Sequence, residues 1–411
     1  MRASRAWFAC LLLLPTMGCQ GGEKDAQPEP APSSKAAPGM DDSLRDAALA
    51  LVETREKALR DGDRKAFLAT VDPDAEDFIA TQARWFDNLT ELPVTDLALE
   101  LGDEGVMTRV HGDGDLQLPI DFTMRLDGFD QHAATQPLIY TFVGDEDAVL
   151  LTSDRNLQSD AMTGWRPAPW DVTDIVVEQT DDVLGVFDDE TDDNASAVMD
   201  ATTDALAVVD AVVPAWPGHV AVYTIGDLDA LDKMSLMEVS ETGGVAFPVP
   251  VRPGSREVAS YRVMLNPAST QTDIQRLFLL RHELTHVALG TKDDRSPEWL
   301  VEGAAEYVAG STYSVDERRR GRAVGLDDAA DPQLRRGRDF YQVEPTASYA
   351  IAGIVCDYLA TTRGPQSLWD LMAAFRAVHA ANAADDDAVL RRELGVDAEQ
   401  LTADALAWLN G

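Results

Sequence analysis

Hydrophobic spacing divides the chain after residue 41 into a helical start, a run of alternating segments, and a long helical end. From Asp42, SLRDAALALVETREKALRDGDRKAFLATV carries apolar residues at 47, 48, 51, 52, 58 and 59, the spacing of a one-faced helix. Asp61-Gly62-Asp63 interrupts it. A helix corner explains this interruption better than a calcium loop does. The segments LALELG, VMTRV, LPIDFTMRL, LIYTFV and AVLLTS follow, separated by turn pairs such as Gly112-Asp113 and Asp145-Glu146. Their alternation predicts strands of an antiparallel sheet. Trp165 to Asp174 marks a boundary. Beyond it the pattern predicts a strand (VLGVF), an acidic loop from Asp188 to Asp193, a helix from Ala195 to Val213, and three extended pieces: HVAVYTI, GGVAFPVPV and YRVMLN. No internal repeat is present.

Helices followed by an antiparallel sheet make residues 42–165 resemble the α+β cone of the nuclear-transport-factor-like fold. The overall expectation is α+β: that cone, then a mainly helical domain over residues 175–411 with a small sheet at its start. His111 and His132 stand alone in the first domain and read as surface residues.

The N-terminus follows a different logic. Arg2 and Arg5 precede an apolar run from Ala6 to Pro15 that is too short for a mature membrane span, so residues 1–18 read as a signal peptide. Thr16-Met17-Gly18-Cys19 resembles a bacterial lipobox, which implies lipidation of Cys19 and a place on the outer face of the cytoplasmic membrane. A plain secretory signal is the alternative. Residues 19–41, rich in Pro, Ala, Gly and Ser, read as a flexible tether. The formal charge of −38 argues against a nucleic-acid partner. Three cysteines leave only Cys356 in the folded domains, within an apolar helical pattern that suits a buried thiol.

Candidate chemistry is concentrated after residue 269. Ser269-Thr270 can cap a helix ending at Gly290, and on it His282-Glu283-Leu284-Thr285-His286 places two imidazoles one turn apart on one face. Such a pair can ligate one Zn²⁺, with Glu283 beside it as a general base for water. The alternative is a pair of partly exposed histidines. Ser296-Pro297 suits the start of a second helix, whose Glu302 and Glu306 share a face. Glu302 can supply a third ligand and Glu306 can orient a histidine, although solvation is the ordinary fate of such a pair.

HELTH followed by PEWLVEGAAEY resembles the gluzincin metallopeptidases, the thermolysin-like and membrane-alanyl-aminopeptidase branch. The resemblance covers about residues 270–376, and the strands before it suit the same fold, which implies that YRVMLN lies at the edge of a sheet beside the cleft, where it could pair with an extended peptide. It implies peptide hydrolysis with one zinc ion on His282, His286 and Glu302, Glu283 as general base, and Glu306 behind a ligand. Ser348-Tyr349-Ala350-Ile351-Ala352-Gly353 resembles the family's tyrosine segment, with the glycine one residue later than in the aminopeptidases, and implies Tyr349 as the oxyanion donor. Tyr341 competes for that role, and a packed aromatic is the third reading. The G-x-M-E-N signature of aminopeptidases is absent, so trimming of N-terminal residues is not implied.

The expected partners are thus a peptide or protein substrate and, through the anchor, the membrane. Arg318, Arg319, Arg320, Arg322, Arg335, Arg336 and Arg338 could form a cationic cleft wall, or could pair with the protein's own carboxylates. Two other functions remain open: a surface lipoprotein that binds a partner through a vestigial protease fold, and a hydrolase acting on another carbonyl.

Overall fold

In the computed structural model the described residues are 42–411, apart from 104–108, 111–114, 146, 156–159, 161–163, 215, 217, 235–238, 240–241, 327–331 and 380–381. The signal segment, Cys19, the tether and His111 therefore lie outside the described residues.

Helix α1 (Asp42–Asp61) turns into α2 (Arg64–Leu68) through Gly62, whose φ of +68° favours glycine. The Asp63 carboxylate accepts from the Ala66 N–H at 2.9 Å and so caps α2, which makes this segment a corner. Helix α3 (Glu76–Glu91) then leads into strands β1 (Val94–Leu101), β2 (Arg109–Val110), β3 (Leu116–Leu126), β4 (Ala134–Asp145) and β5 (Ala148–Ser153). They form an antiparallel sheet in the order β1-β3-β4-β5, with β2 on β3. Period-two alternation on β3 buries Leu116, Leu118, Ile120, Phe122, Met124 and Leu126. Trp85 of α3 meets Phe122 edge-on, with ring centroids 5.2 Å apart.

After the short α4 (Pro169–Val172), β6 (Val176–Gln179), β7 (Val183–Phe187), β8 (Val220–Thr224), β9 (Gly244–Pro250) and β10 (Val258–Leu265) build a mixed sheet. Its order is β6-β7-β8-β10-β9, with β7, β8 and β10 parallel. Both faces are covered, and for this reason VLGVF and VAVYT are apolar throughout. Val183, Phe187 and Val222 face the helices α5 (Ala195–Val212) and α7 (Asp273–Leu289), while α6 (Leu228–Met234) lies on the opposite side. Leu184, Val186, Ala221 and Tyr223 share a core with Trp85 and Phe122 of the first sheet. A buried ion pair, Arg262 to Asp130, joins the two sheets, and the Arg262 Nε donates to the Tyr223 hydroxyl at 2.9 Å.

The expectation of YRVMLN at the edge is corrected. It forms β10, inside the sheet, because GGVAFPVPV folds back antiparallel along its outer side as β9. Pro248 and Pro250 lack an N–H for a ladder and suit that outermost position.

The rest of the chain is helical: α8 (Glu298–Gly310), α9 (Val315–Leu326), α10 (Arg338–Gln342), α11 (Pro345–Arg363), α12 (Gln366–Val378), α13 (Ala383–Glu393) and α14 (Ala398–Asn410). The architecture is mixed α+β, with a small antiparallel sheet early and a largely helical region late.

Two helix starts differ from expectation. Pro267–Thr270 forms a 3₁₀ turn of its own, so Thr272 caps α7, its hydroxyl accepting from the Gln275 N–H at 3.4 Å. Pro297 stays extended (ψ 147°), so α8 begins at Glu298 and Ser296 is not its cap.

Candidate metal centre

Helix α7 is buried from Leu279 to Leu289 at every residue but Arg281, between the second sheet and α8. Its HELTH segment is therefore interior, and His282 and His286 are 1% and 7% exposed. Helix α8 brings Glu302 against them, completely buried. This approach depends on the next residue. A Cβ on Gly303 would sit 2.5 Å from the Ala352 carbonyl oxygen and 2.7 Å from the Cys356 sulfur, both on α11. Glycine lets α8 and α11 pack closely enough to hold Glu302 at the histidines.

Glu302 Oε2 lies 3.2 Å from His282 Nε2 and 3.6 Å from His286 Nε2. One donor atom from each of the three residues falls within 4.8 Å of the others. These three form the one such group among the described residues, and it can hold a metal ion. Two atoms show that the cluster is not satisfied by the protein alone. His286 Nε2 and Glu283 Oε1 are buried without a hydrogen-bond partner among the described residues. Orphans of this kind in a dry interior cost stability unless something else completes them. Two imidazole nitrogens and a carboxylate oxygen are also a donor set that suits a divalent cation.

The neighbours orient this group. Glu302 Oε1 accepts from the Tyr341 hydroxyl at 3.0 Å, leaving Oε2 to face the histidines. His282 Nδ1 is 3.3 Å from Glu306 Oε1. Glu306 Oε2 accepts from Arg322 Nη1 at 2.5 Å, and its backbone carbonyl accepts from Arg322 Nη2 at 2.8 Å. Arg322 Nε donates to Asp357 Oδ2 at 3.0 Å, and Arg318 Nε to Asp357 Oδ1 at 2.7 Å. Gly353 leaves room for this guanidinium, since a Cβ there would lie 2.3 Å from it. Glu283 Oε2 accepts from the Ala246 N–H of β9 at 2.8 Å.

The electrostatics favour a cation. Burial pulls the His282 pKa down, but its bonds to Glu302 and Glu306 and the Glu283 charge outweigh it and raise it to about 10. Burial pushes Glu302 up, but the charge of the nearby His286 and the contact with His282 hold it at about 2. Glu306 is likewise held low, burial being overcome by the Arg322 charge and by His282. In the metal-free cluster a proton on His282 occupies the electrostatic role that a metal cation would take.

Tyr349 is buried on α11, its ring centroid 6.2 Å from that of His282 and 4.9 Å from that of Phe340. Together with His282 and Glu306 it lines a cavity of about 540 Å³ whose apolar wall includes Ile274, Phe278, Leu279 and Tyr313. Cys356 is fully buried and burial raises its thiol pKa, as expected for a structural thiol.

The arginine segment pairs with the protein's own groups. Arg318 and Arg322 are held by Asp357 and Glu306, Arg335 pairs with Glu344 and Arg336 with Asp386, and Arg319 lies 4.0 Å over the Trp408 ring. Arg318 and Arg322 nonetheless line the cavity beside His282, with their charge balanced by Asp357 and Glu306.

Sequence spacing identified the ligand triad and Glu306 beside His282, but not the groups that hold Glu302 and Glu306 in place. Tyr341 was considered only as a donor to substrate, and the Arg322–Asp357 support was unread. A buried arginine and aspartate on two later helices leave no local signal. No protein-family model matches the chain, and no curated protein matches it.

Proposed function

We propose that the chain is an exported, zinc-dependent peptidase, lipid-anchored through Cys19. In this reading a gluzincin-type catalytic domain over residues 175–411 follows a nuclear-transport-factor-like domain over residues 42–165. One observation carries the proposal: a buried His282–His286–Glu302 group has unpartnered atoms on His286 and on the adjacent Glu283. Two nitrogens and one oxygen from protein, with a further position open, are the donor set of a catalytic zinc site.

Zinc, when bound, would acidify water and polarise a carbonyl oxygen. The chain's own residues would do the rest. Glu283 takes the proton through the oxygen that has no partner, while the Ala246 N–H fixes the other. Because Tyr341 is committed to Glu302, Tyr349 is the better placed hydroxyl to donate to the developing oxyanion. Glu306 holds His282 through Nδ1 and is itself clamped by Arg322. The cavity beside His282 offers an apolar wall to a substrate side chain.

The test compares wild type with Glu283→Gln on a peptide library, each loaded with zinc. Cleavage by the wild type that falls by about 10²- to 10⁴-fold in the variant is the expected result. Equal cleavage, or none in either protein, would overturn the proposal in favour of a partner-binding lipoprotein.

A further inference from the structure

A second cavity, of about 750 Å³, lies where the two sheets meet. It is separate from the metal centre and belongs to neither sheet alone. From the first unit, Trp85, Phe122 and Met124 wall it; from the second, Phe247 and Val258. Trp165 forms part of the rim, with the Arg155 guanidinium 3.0 Å from its ring centroid. The volume falls within the range of about 300–1,000 Å³ that holds a compact organic ligand. Charged side chains also line it, and two of them are paired within the protein, Arg262 with Asp130 and Arg155 with Asp160.

The polar groups on the wall differ in how far they are satisfied. Gln82 donates to Asp154 Oδ2 at 2.7 Å, and Asp171 accepts from Trp85 Nε1 at 3.0 Å and from the Ala168 N–H at 2.7 Å. Gln136 contributes an Oε1 that is buried and has no partner among the described residues. An occupant that completes this wall is flat, apolar and uncharged, and carries at least one N–H or O–H donor.

The same cavity touches the metal centre's machinery through one strand. Residues 246–250 of β9 line it, and the Ala246 N–H of that strand holds the Glu283 carboxylate. We propose that this inter-sheet cavity is a binding site for a small uncharged ring-bearing molecule with a hydrogen-bond donor. Its occupancy reaches Glu283 by fixing β9.

N-phenyl-1-naphthylamine, a neutral molecule with three aromatic rings and one N–H, is a suitable probe on the full chain stripped of metal. Binding is read from energy transfer out of the tryptophans, among which Trp85, Trp165 and Trp170 line the cavity. One molecule should bind per chain. Met124→Trp, which fills the space, should weaken binding at least about tenfold. The milder Gln136→Met, which removes one acceptor, should weaken it about three- to tenfold. At saturating probe, amide exchange across residues 244–250 should slow while exchange across 183–187 of β7 stays the same. Binding unaffected by both substitutions would overturn the site, and unchanged exchange at 244–250 would overturn the link to Glu283. Neither readout needs zinc or turnover, so the outcome is independent of the peptidase reading.

Discussion

Replacing Tyr341 with phenylalanine removes one oxygen, and the structure says what that oxygen does. Its hydroxyl donates at 3.0 Å to Glu302 Oε1, a carboxylate with no exposed surface. Burial and the Glu302 charge push the phenol well above its ordinary range, so it remains a donor at any pH where the protein is folded. A hydrogen bond to a buried charge contributes about 1.5–3 kcal/mol. At about 1.4 kcal/mol per pKa unit, its loss should raise the Glu302 pKa by about one to two units. A group that orients a metal ligand typically changes affinity by about 10- to 100-fold. Tyr341→Phe should therefore lower the urea midpoint of the metal-free protein and weaken zinc binding by about that factor, measured by competition with a chelator. Zinc affinity within about twofold of wild type, with an unchanged midpoint, would refute the claim that Tyr341 holds the third ligand.

Three further outcomes follow from the same geometry. Tyr349→Phe should lower kcat by about 10²- to 10³-fold with zinc affinity unchanged, measured by steady-state kinetics beside the chelator titration; weaker zinc binding would count against its role. Gly303→Ala should cost about 1–3 kcal/mol in chemical denaturation, because the new methyl meets the α11 backbone at 2.5 Å. In metal-free protein, Glu302 at about 2 stabilises above its unfolded value and loses that effect as pH falls towards 2. His282 works in the opposite sense: raised to about 10, it stabilises fully below 6.5 and loses the effect as pH rises through about 10. Relative to His282→Gln, the metal-free wild type should thus lose stability between pH 6.5 and 10, and zinc, which requires the deprotonated ring, should remove that loss. A difference that stays flat over this window would contradict the assigned contacts.

The parts of this molecule that were legible in the sequence are those written in local spacing. Period-two runs identified β3 and β4, short apolar runs identified β7 and β8, and the one-turn interval between His282 and His286 survives folding because a helix fixes it. Glu302 was reachable because a second helix begins soon after the first. What was illegible depends on which segments meet. YRVMLN and GGVAFPVPV are both plausible edge strands by composition, and only the fold-back of β9 decides between them. Ser296 looked like a helix cap because cap preferences are local, whereas Pro297 keeps the chain extended at that point. Spacing left the arginines open between a cleft wall and internal pairing because Asp357, which pairs with Arg318 and Arg322, lies on a later helix, α11. Gly303 was part of a quoted motif, but its reason, the closeness of α8 to α11, exists only in three dimensions.

The central claim is that His282, His286 and Glu302 hold one zinc ion. Elemental analysis of the purified full chain, beside His282→Ala and Glu302→Gln prepared identically, tests it most directly. The account predicts about one zinc per wild-type chain and a loss of most of it in both variants. Wild-type protein that holds no zinc after incubation with excess metal and desalting, or variants that retain as much as wild type, would contradict it.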